Sequence, residues 1–365
     1  MPDWTKSMQQ SYEYYTVEPS TLADVKRLDN VKNSSFTRDA DTETLGSASI
    51  EANNSFGETY IRGYLKTVQN GVTEKHPLGT VLIQTPSSSF NGKFTEVSMT
   101  AYTPLIELKE KQPPLGYTIR RGTRILDAAY TIIRENARVP AVPVDPVIVK
   151  HDDGTIEDKS PILERDFIAN TDDTWLTFVI DLLANASYEL GLDEMGHILF
   201  LPIQELESLQ PVWTFDDGNS SILYPEITMN HDLYGIPNVV EVVYSYGGGR
   251  LTATATNDDP NSPTSTVSRG RQIPYRETNP SLAGYATQKQ VQDYAERLLK
   301  ALSTIEYTVS YTHAYCPVRI GDCVRLNYEK AGITDIKAKV ISQNVKCDLG
   351  CSVSEKAVFT TKLWR

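Results

Sequence analysis

Long apolar runs are missing from this sequence. The most apolar stretch, Trp175 to Ala186, is short and is interrupted by Asp181, whereas a membrane-spanning helix needs about 20 apolar residues. The first residues, Met1-Pro2-Asp3-Trp4, lack the basic and apolar segments of a secretory signal peptide. We therefore expect synthesis in the cytoplasm, where thiols stay reduced, and no membrane insertion.

The chain also lacks an excess of positive charge. It has 35 Lys and Arg against 47 Asp and Glu, which gives a formal net charge of -12. Proteins that hold DNA neutralise its phosphates with basic side chains, so stable DNA binding is excluded as a function class. An acidic wall would instead repel DNA and keep it from sticking, so we expect DNA only in transit.

Sequence motifs of catalytic sites are missing as well. The five histidines show no His-x-x-x-His or His-Glu-x-x-His spacing, and no Gly-x-Ser-x-Gly elbow occurs. Gly247-Gly248-Gly249 joins two strands as a turn and lacks the Lys-Ser/Thr ending of a phosphate loop. The acidic pairs Asp172-Asp173 and Asp216-Asp217 are typical of a helix start and a turn, and His151-Asp152-Asp153-Gly154 is typical of a solvated loop. We predict no catalytic, cofactor-binding or metal site and no enzyme activity.

Cysteine is scarce and confined to the last fifty residues. The four cysteines are Cys316, Cys323, Cys347 and Cys351. Only the last two have close spacing, around a tight hairpin turn, so a structural zinc site that includes His313 is disfavoured. We expect reduced thiols; a disulfide formed after lysis and a bound metal are the alternatives.

Tyrosine, in contrast, is abundant. The chain has 20 Tyr against nine Phe and four Trp. Tyrosine combines an apolar ring with a polar tip, which suits subunit contacts. It also favours strands, and the composition does not separate these two interpretations.

The pattern along the chain predicts a β-rich α+β protein. Residues 1–27 are polar and Tyr-rich, which suggests an N-terminal arm. Residues 28–115 contain short alternating strands and an Asn70-Gly71 hairpin turn, typical of a small antiparallel barrel or sandwich. Residues 116–212 are mixed α/β, and strands return in 213–365.

Three helices are expected from apolar periodicity. Thr123 would cap the first, with Ile125, Ala129, Ile132 and Ile133 on one face, and a Pro-rich loop over 140–161 would follow. The second would start near Thr171-Asp172-Asp173 and run to Leu190, with Gly191 as its C-terminal cap. The third, about 287–303, would pack on the second β-rich domain and bury Leu298 and Leu302.

Two motifs resemble the hub proteins in the baseplates of contractile-tailed phages. Asp29 to Asp39, which ends in Thr37-Arg38-Asp39, precedes the small-residue strand Leu45 to Ile50 and resembles the opening hairpin of these hubs. Val318 to Leu326, with Gly321-Asp322, resembles their Gly-Asp turn and strand near the C-terminus. Ile341-Ser342-Gln343 and the final hairpin from Phe359 to Trp364 occur in the same order.

The resemblance implies two tail-tube-like antiparallel β-barrel domains, 28–115 and 213–365, around the α-containing middle region. Three chains would form a pseudo-hexameric ring that docks on the tail tube above and on a spike or tail-tip protein below, with other baseplate subunits around it. The expected location is the virion tail baseplate, after assembly in the host cytoplasm. The alternative is a tail-tip module that binds a receptor or carbohydrate.

A hub of this kind would enclose the channel through which DNA is ejected. A wall of Asp, Glu, Asn, Ser and Thr would let DNA slide, whereas Lys and Arg would hold it. We expect the small-residue strands Gly46 to Ala52 and Leu251 to Thr256 to supply wall segments.

Overall fold

Strand alternation of apolar and polar residues determines most of the architecture. The computed structural model describes residues 2–90, 92–93, 95–150, 156–231, 233–246, 249–278, 280 and 286–362. The predicted loop His151 to Gly154, the turn glycines Gly247 and Gly248, and the end of the final hairpin at Leu363 and Trp364 lie outside these residues. The β-rich α+β class is confirmed.

The strands are β1 (Gln9–Glu18), β2 (Ala23–Leu28), β3 (Val31–Asp39), β4 (Gly46–Ala52), β5 (Tyr60–Gln69), β6 (Val72–Phe90), β7 (Thr95–Tyr102), β8 (Thr118–Ile119), β9 (Ile148–Lys150), β10 (Ile156–Asp158), β11 (Phe167–Ile168), β12 (Tyr188–Leu192), β13 (Ile198–Pro202), β14 (Pro211–Asp216), β15 (Leu223–His231), β16 (Val239–Tyr246), β17 (Gly249–Thr256), β18 (Pro274–Thr278), β19 (Thr304–Ala314), β20 (Cys323–Tyr328), β21 (Ile333–Lys346) and β22 (Ser352–Lys362). The helices are α1 (Ile106–Lys109), α2 (Ile125–Asn136), α3 (Trp175–Ala184), α4 (Thr266–Arg269) and α5 (Gln288–Leu302), with 3-10 turns at Leu206–Ser208 and Glu329–Ala331.

The chain folds into two units whose boundaries differ from the predicted domains. Unit 1 comprises Met1–Glu226 and Tyr311–Lys356, and unit 2 comprises Ile227–Ser310 and Ala357–Arg365. The chain passes between the units within β15, β19 and β22. The C-terminal strands join the first unit because β21 pairs with β3, from Ser342 opposite Asp39 to Lys346 opposite Ser35.

The sheet of unit 1 runs in the order β22-β21-β3-β4-β7-β6-β5-β1-β2, and β20 and β14 branch from β21. It curls on itself, because Phe36 of β3 packs against Gly63 of β5 and Gly79 of β6, which are not neighbours of β3 in the sheet. A Cβ atom at Gly63 would come within 2.5 Å of the Phe36 ring, so the close approach requires glycine there.

The predicted N-terminal arm is part of this sheet. Strand β1 pairs along its length with β5, and its side chains Tyr14 and Val17 are buried. The polar composition of residues 1–27 suggested an arm, but β1 lies within the sheet and buries Glu13, Tyr14 and Val17. The Asn70-Gly71 hairpin joins β5 and β6 as predicted, with φ values of 51° and 79°.

Helices α1, α2 and α3 share one apolar core with the first strands. Ile125, Ala129, Ile132 and Ile133 of α2 are buried on one face, as predicted. The expected cap at Thr123 is wrong, since the helix begins after Arg124, which makes no capping bond. The Pro-rich stretch predicted as a loop includes the short β9–β10 hairpin.

The predicted extent of the second helix is wrong. Its cap is Thr174, which forms a capping box with Thr177, and the helix ends at Ala184. Ser187 then adopts a φ of 57°, which turns the chain into the β12–β13 hairpin. Gly191 therefore lies in β12, where a Cβ atom would meet the Leu201 side chain at 2.5 Å.

Unit 2 contains a three-stranded sheet in the order β17-β16-β18, covered by helix α5. Thr287 and Gln290 form the capping box of α5, which matches the predicted third helix. The helix buries Val291, Ala295 and Leu299, whereas Leu298 is only partly buried. Leu298 and Leu302, which were predicted to be buried, are thus partly buried and pack against this core.

Candidate functional site

Strands β4 and β7 have one apolar and one hydroxyl-bearing face. Ala48, Ile50 and Ala52 of β4 are at most 3% exposed, whereas Ser49 and Glu51 are open to solvent. In β7 the corresponding buried residues are Val97, Met99 and Ala101, and the exposed ones are Glu96, Ser98 and Thr100. Side chains alternate along a strand, so each strand contributes one row to a common outer surface.

The register joins these rows into one surface across four strands. Ser49 lies opposite Ser35 of β3 on one side and Thr100 of β7 on the other. In the same way Ser98 lies between Glu51 of β4 and Ser87 of β6. We call this surface the hydroxyl face: Asn33, Ser35, Thr37, Ser47, Ser49, Glu51, Ser87, Ser89, Glu96, Ser98 and Thr100.

The hydroxyl face carries two glutamates, and basic side chains lie at its border: Lys32, and Lys346 of β21, which is exposed and pairs with Ser35. Its charged members are Glu51 and Glu96, and Lys32 at its border contacts Glu96 at 3.3 Å between Nζ and Oε1. Such a surface offers short hydroxyl groups and carboxylates, which do not neutralise phosphate. Among the residues that the structure describes, no cluster of three or more His, Cys, Asp or Glu could hold a metal ion.

The second predicted wall segment, Leu251 to Thr256, lies in β17 of unit 2. Thr252 and Thr254 are exposed, and Ala253 and Ala255 are buried against α5. The carbonyl oxygens of Thr252 and Thr254 accept hydrogen bonds from Gln288 and Gln292 of α5 at 2.8 Å and 3.2 Å. These bonds occupy backbone acceptors along the outer edge of β17.

A buried arginine holds several segments of unit 1 together. Arg62 of β5 is fully buried and donates to the Asp24 carboxylate at 2.8 Å and to the Thr80 hydroxyl at 2.8 Å. It also donates to the carbonyl oxygens of Leu22 at 3.0 Å and Met195 at 2.6 Å. A buried guanidinium needs this many partners, because an unpaired buried charge is costly.

Glu194 brings together the two motifs that carried the family resemblance. Its carboxylate contacts Arg38 of the first motif at 3.5 Å and Arg319 of the second at 2.9 Å. The backbone N–H of Arg319 donates to the Asp322 carboxylate at 2.8 Å, and burial raises the pKa of Asp322. Gly321 adopts a φ of 87°, which explains why the turn needs glycine.

A second buried carboxylate, Glu355 of β22, extends this network. It accepts from the Gln343 amide at 2.6 Å, contacts His313 Nε2 at 3.2 Å, and accepts from the Tyr311 hydroxyl. Arg38 donates in turn to Gln343 Oε1 at 3.0 Å. Sequence reasoning missed Glu194 and Glu355. A signal for Glu355 was available, because it lies two residues from Val353 and two from Ala357, and alternate residues of a strand share one face.

The four cysteines are free thiols and all are buried. Burial raises the pKa of Cys347 to about 11 and that of Cys351 to about 12, and it also raises the pKa of Cys316 and Cys323. His313 lies 3.8 Å from the Cys316 sulfur but is held by Glu355. These thiols face the core and have little thiolate character at neutral pH.

The predicted turn at Asp216-Asp217 agrees with its contacts, whereas Asp172-Asp173 precedes α3, whose first turn holds no acidic residue. The Asp173 carboxylate accepts from the Asn170 N–H ahead of α3, and the Asp216 carboxylate accepts from the Gly218 N–H in a turn. Within the part of the chain that the structure describes, no helix is long and apolar enough to cross a membrane.

The fold is similar to that of several solved tail proteins. The tail protein from Neisseria meningitidis MC58 matches with a TM-score of 0.62 and 12% identity, over 97% of this chain and 98% of that chain. The 43 kDa tail protein of prophage MuSo2 from Shewanella oneidensis matches with a TM-score of 0.60 and 13% identity, over 96% and 98%. A chain of the lidded Francisella PdpA-VgrG complex matches with a TM-score of 0.55 and 9% identity, over 97% of this chain and 53% of that chain.

No protein-family model matches the chain, and no curated protein matches it. At 9–13% identity, the structural likeness shows a shared fold. The resemblance expected from the two sequence motifs is thereby confirmed at the level of architecture, and the chain has the fold of phage tail proteins.

Proposed function

We propose that this chain is the structural hub of a phage tail baseplate. Three copies form a pseudo-hexameric ring around the DNA ejection channel, to which strands of both strand-rich segments, 28–115 and 213–365, contribute. The ring joins the tail tube to the spike or tail tip, and other baseplate subunits surround it. This role is structural and requires no catalysis.

The hydroxyl face is the observation that carries this proposal. Duplex DNA has about one negative charge per 1.7 Å of axis, so a channel wall that releases DNA must leave its phosphates unpaired. The eleven residues of the hydroxyl face include two glutamates, and the lysines next to it, Lys32 and Lys346, lie at its border. The fully buried Ile50 and Met99 pack beneath this surface and make it rigid. Most of its side chains are short and uncharged.

The tail-tip alternative is separated from the hub by position and symmetry. An image reconstruction of assembled tails should show three copies on the tail axis, with the hydroxyl face lining the channel. Copies placed only at the periphery, or a channel lined by Lys and Arg, would contradict the hub. Binding of the isolated chain to host cells would favour the receptor-binding module instead.

Substitution of the hydroxyl face tests the channel directly. We expect Ser49→Arg, Ser98→Arg and Thr100→Arg together to slow DNA ejection, most strongly at low salt, because each arginine can hold a phosphate. The matched control replaces the same three residues with glutamine, which adds comparable bulk without charge. Equal ejection rates for the arginine and glutamine variants would show that this face does not meet DNA.

A further inference from the structure

Three basic side chains converge on one carboxylate on the outer side of strands β1, β2, β5 and β6. Glu13 Oε1 lies 3.4 Å from Lys66 Nζ and 3.7 Å from Arg27 Nη1, and Glu13 Oε2 contacts Lys75 Nζ. The Lys75 hydrogen bond is the largest influence that lowers the pKa of Glu13 to about 2. We call Glu13, Arg27, Lys66 and Lys75 the basic cluster.

Two tyrosines form the floor of the basic cluster. Lys75 Nζ lies 5.1 Å from the ring centre of Tyr15 and 5.9 Å from that of Tyr64, and the two rings meet edge to face at 5.8 Å. The Tyr15 hydroxyl donates to Glu13 at 3.0 Å. Side chains held in place in this way lose less conformational freedom when a partner docks, and Tyr and Arg are enriched at subunit contacts.

The basic cluster has the opposite sign from the rest of the chain. Glu13 is only 6% exposed, while the side chains of Arg27 and Lys75 are 53% and 43% exposed, so the basic groups dominate the outer surface. Arg27 also meets Asp29 at 3.0 Å. With Asp29 included, three cations and two carboxylates leave +1 here, whereas the whole chain carries -12.

We infer that the basic cluster is the contact for an acidic surface of a second copy of this chain. The inference rests on the proposed ring, in which each copy offers one surface and receives a different one, so that opposite charges on the two surfaces favour closure. DNA is the less suitable occupant, because a carboxylate lies at the centre of the cluster and the chain as a whole repels phosphate.

Sedimentation of the full chain tests this contact. The variant Lys66→Glu with Lys75→Glu places like charges beside Glu13, and we expect its trimer dissociation constant to rise at least about tenfold. The wild-type trimer should also weaken between about 50 mM and about 500 mM NaCl, because salt screens exposed charges. Lys66→Met with Lys75→Met removes the charges without introducing repulsion, and should weaken the trimer less while keeping the fold.

The matched control is Lys289→Glu with Lys330→Glu, which changes the net charge by the same amount at exposed lysines elsewhere. It should leave the trimer unchanged. A wild-type trimer that none of the cluster variants weakens would overturn this inference and leave the proposed hub standing. A chain that is monomeric under all conditions would overturn both, and a loss confined to DNA retention would identify a DNA contact instead.

Discussion

The two units bury different kinds of side chain. Among the described residues, the buried polar groups of unit 2 are all uncharged: Asn238, Asn257, Ser262, Thr264, Ser265 and Ser303. Unit 1 instead buries ionisable groups: Glu13, Arg62, Glu107, Glu194, His313 and Glu355. In the larger unit buried charged contacts therefore add to an apolar core, whereas the smaller unit combines uncharged buried groups with the fit of helix α5 against its sheet.

This difference affects how each unit responds to substitution. A buried ion pair adds little stability over an apolar pair of the same shape, but removal of one partner leaves an uncompensated charge. An aliphatic core loses stability in proportion to the cavity that a truncation leaves. The contrast can be measured by hydrogen exchange, which reports the opening of each unit separately.

The largest effect is expected from Arg62→Met in unit 1. The change leaves the carbonyl oxygens of Leu22 and Met195 without their donor, and it leaves the Asp24 carboxylate with only the Tyr64 hydroxyl and no cation. We expect a loss of about 4 kcal/mol in the free energy of unfolding of unit 1. Amides of unit 1 should exchange faster, and those of β16 and α5 in unit 2 should not.

The control for Arg62 is Arg319→Met, at a residue whose side chain is 61% exposed. Its contact with Glu194 is screened by solvent, so the loss should stay within about 1 kcal/mol. A small effect of Arg62→Met would mean that water replaces the missing donor, and the contrast between the units would then fail.

Leu299→Ala should have the next largest effect, and in unit 2. Leu299 is fully buried against Val240 and Val242, and truncation leaves a cavity that the sheet cannot fill. We expect a loss of about 3 kcal/mol, measured from the exchange of β16 amides. Leu298→Ala, at the partly buried residue directly before Leu299, should lose clearly less stability.

Some features of this core could be predicted from the sequence and others could not. Periodicity located α5 and its cap, because local apolar spacing and Thr287 capping are properties of a short segment. Alternation likewise predicted the strand Gly46 to Ala52, which is β4. The pairing of β21 with β3 was not predictable, since it joins residues about three hundred positions apart. The roles of Arg62 and Glu194 depend on partners that are distant in the sequence, such as Met195 for Arg62 and Arg319 for Glu194, and left no local pattern.

Glu107→Gln should have a smaller effect in unit 1. The Glu107 carboxylate accepts from the Tyr60 hydroxyl at 2.7 Å and from Arg138 Nε and the Arg138 N–H at 2.6 Å and 2.7 Å. Glutamine keeps the shape and one acceptor but loses the charge, so we expect a loss of about 2 kcal/mol. Glu110→Gln, at the exposed end of α1, is the matched control, and chemical denaturation should show little change for it.

The smallest effect concerns the pH dependence of the buried thiols, all of which belong to unit 1. Burial raises the pKa of Cys351 from 9.0 to about 12, so the folded chain keeps this thiol protonated where the unfolded chain ionises it. The stabilising contribution is therefore complete below pH 9 and is lost progressively as pH rises from 9 towards 12. Between about pH 8 and about pH 10 this thiol should cost unit 1 about 1 kcal/mol. Cys351→Ala removes the titrating group, so its loss over the same interval should be smaller by that amount, measured by denaturation at both pH values. If the variant and the wild type lose the same stability, other groups of unit 1 cause its alkaline sensitivity.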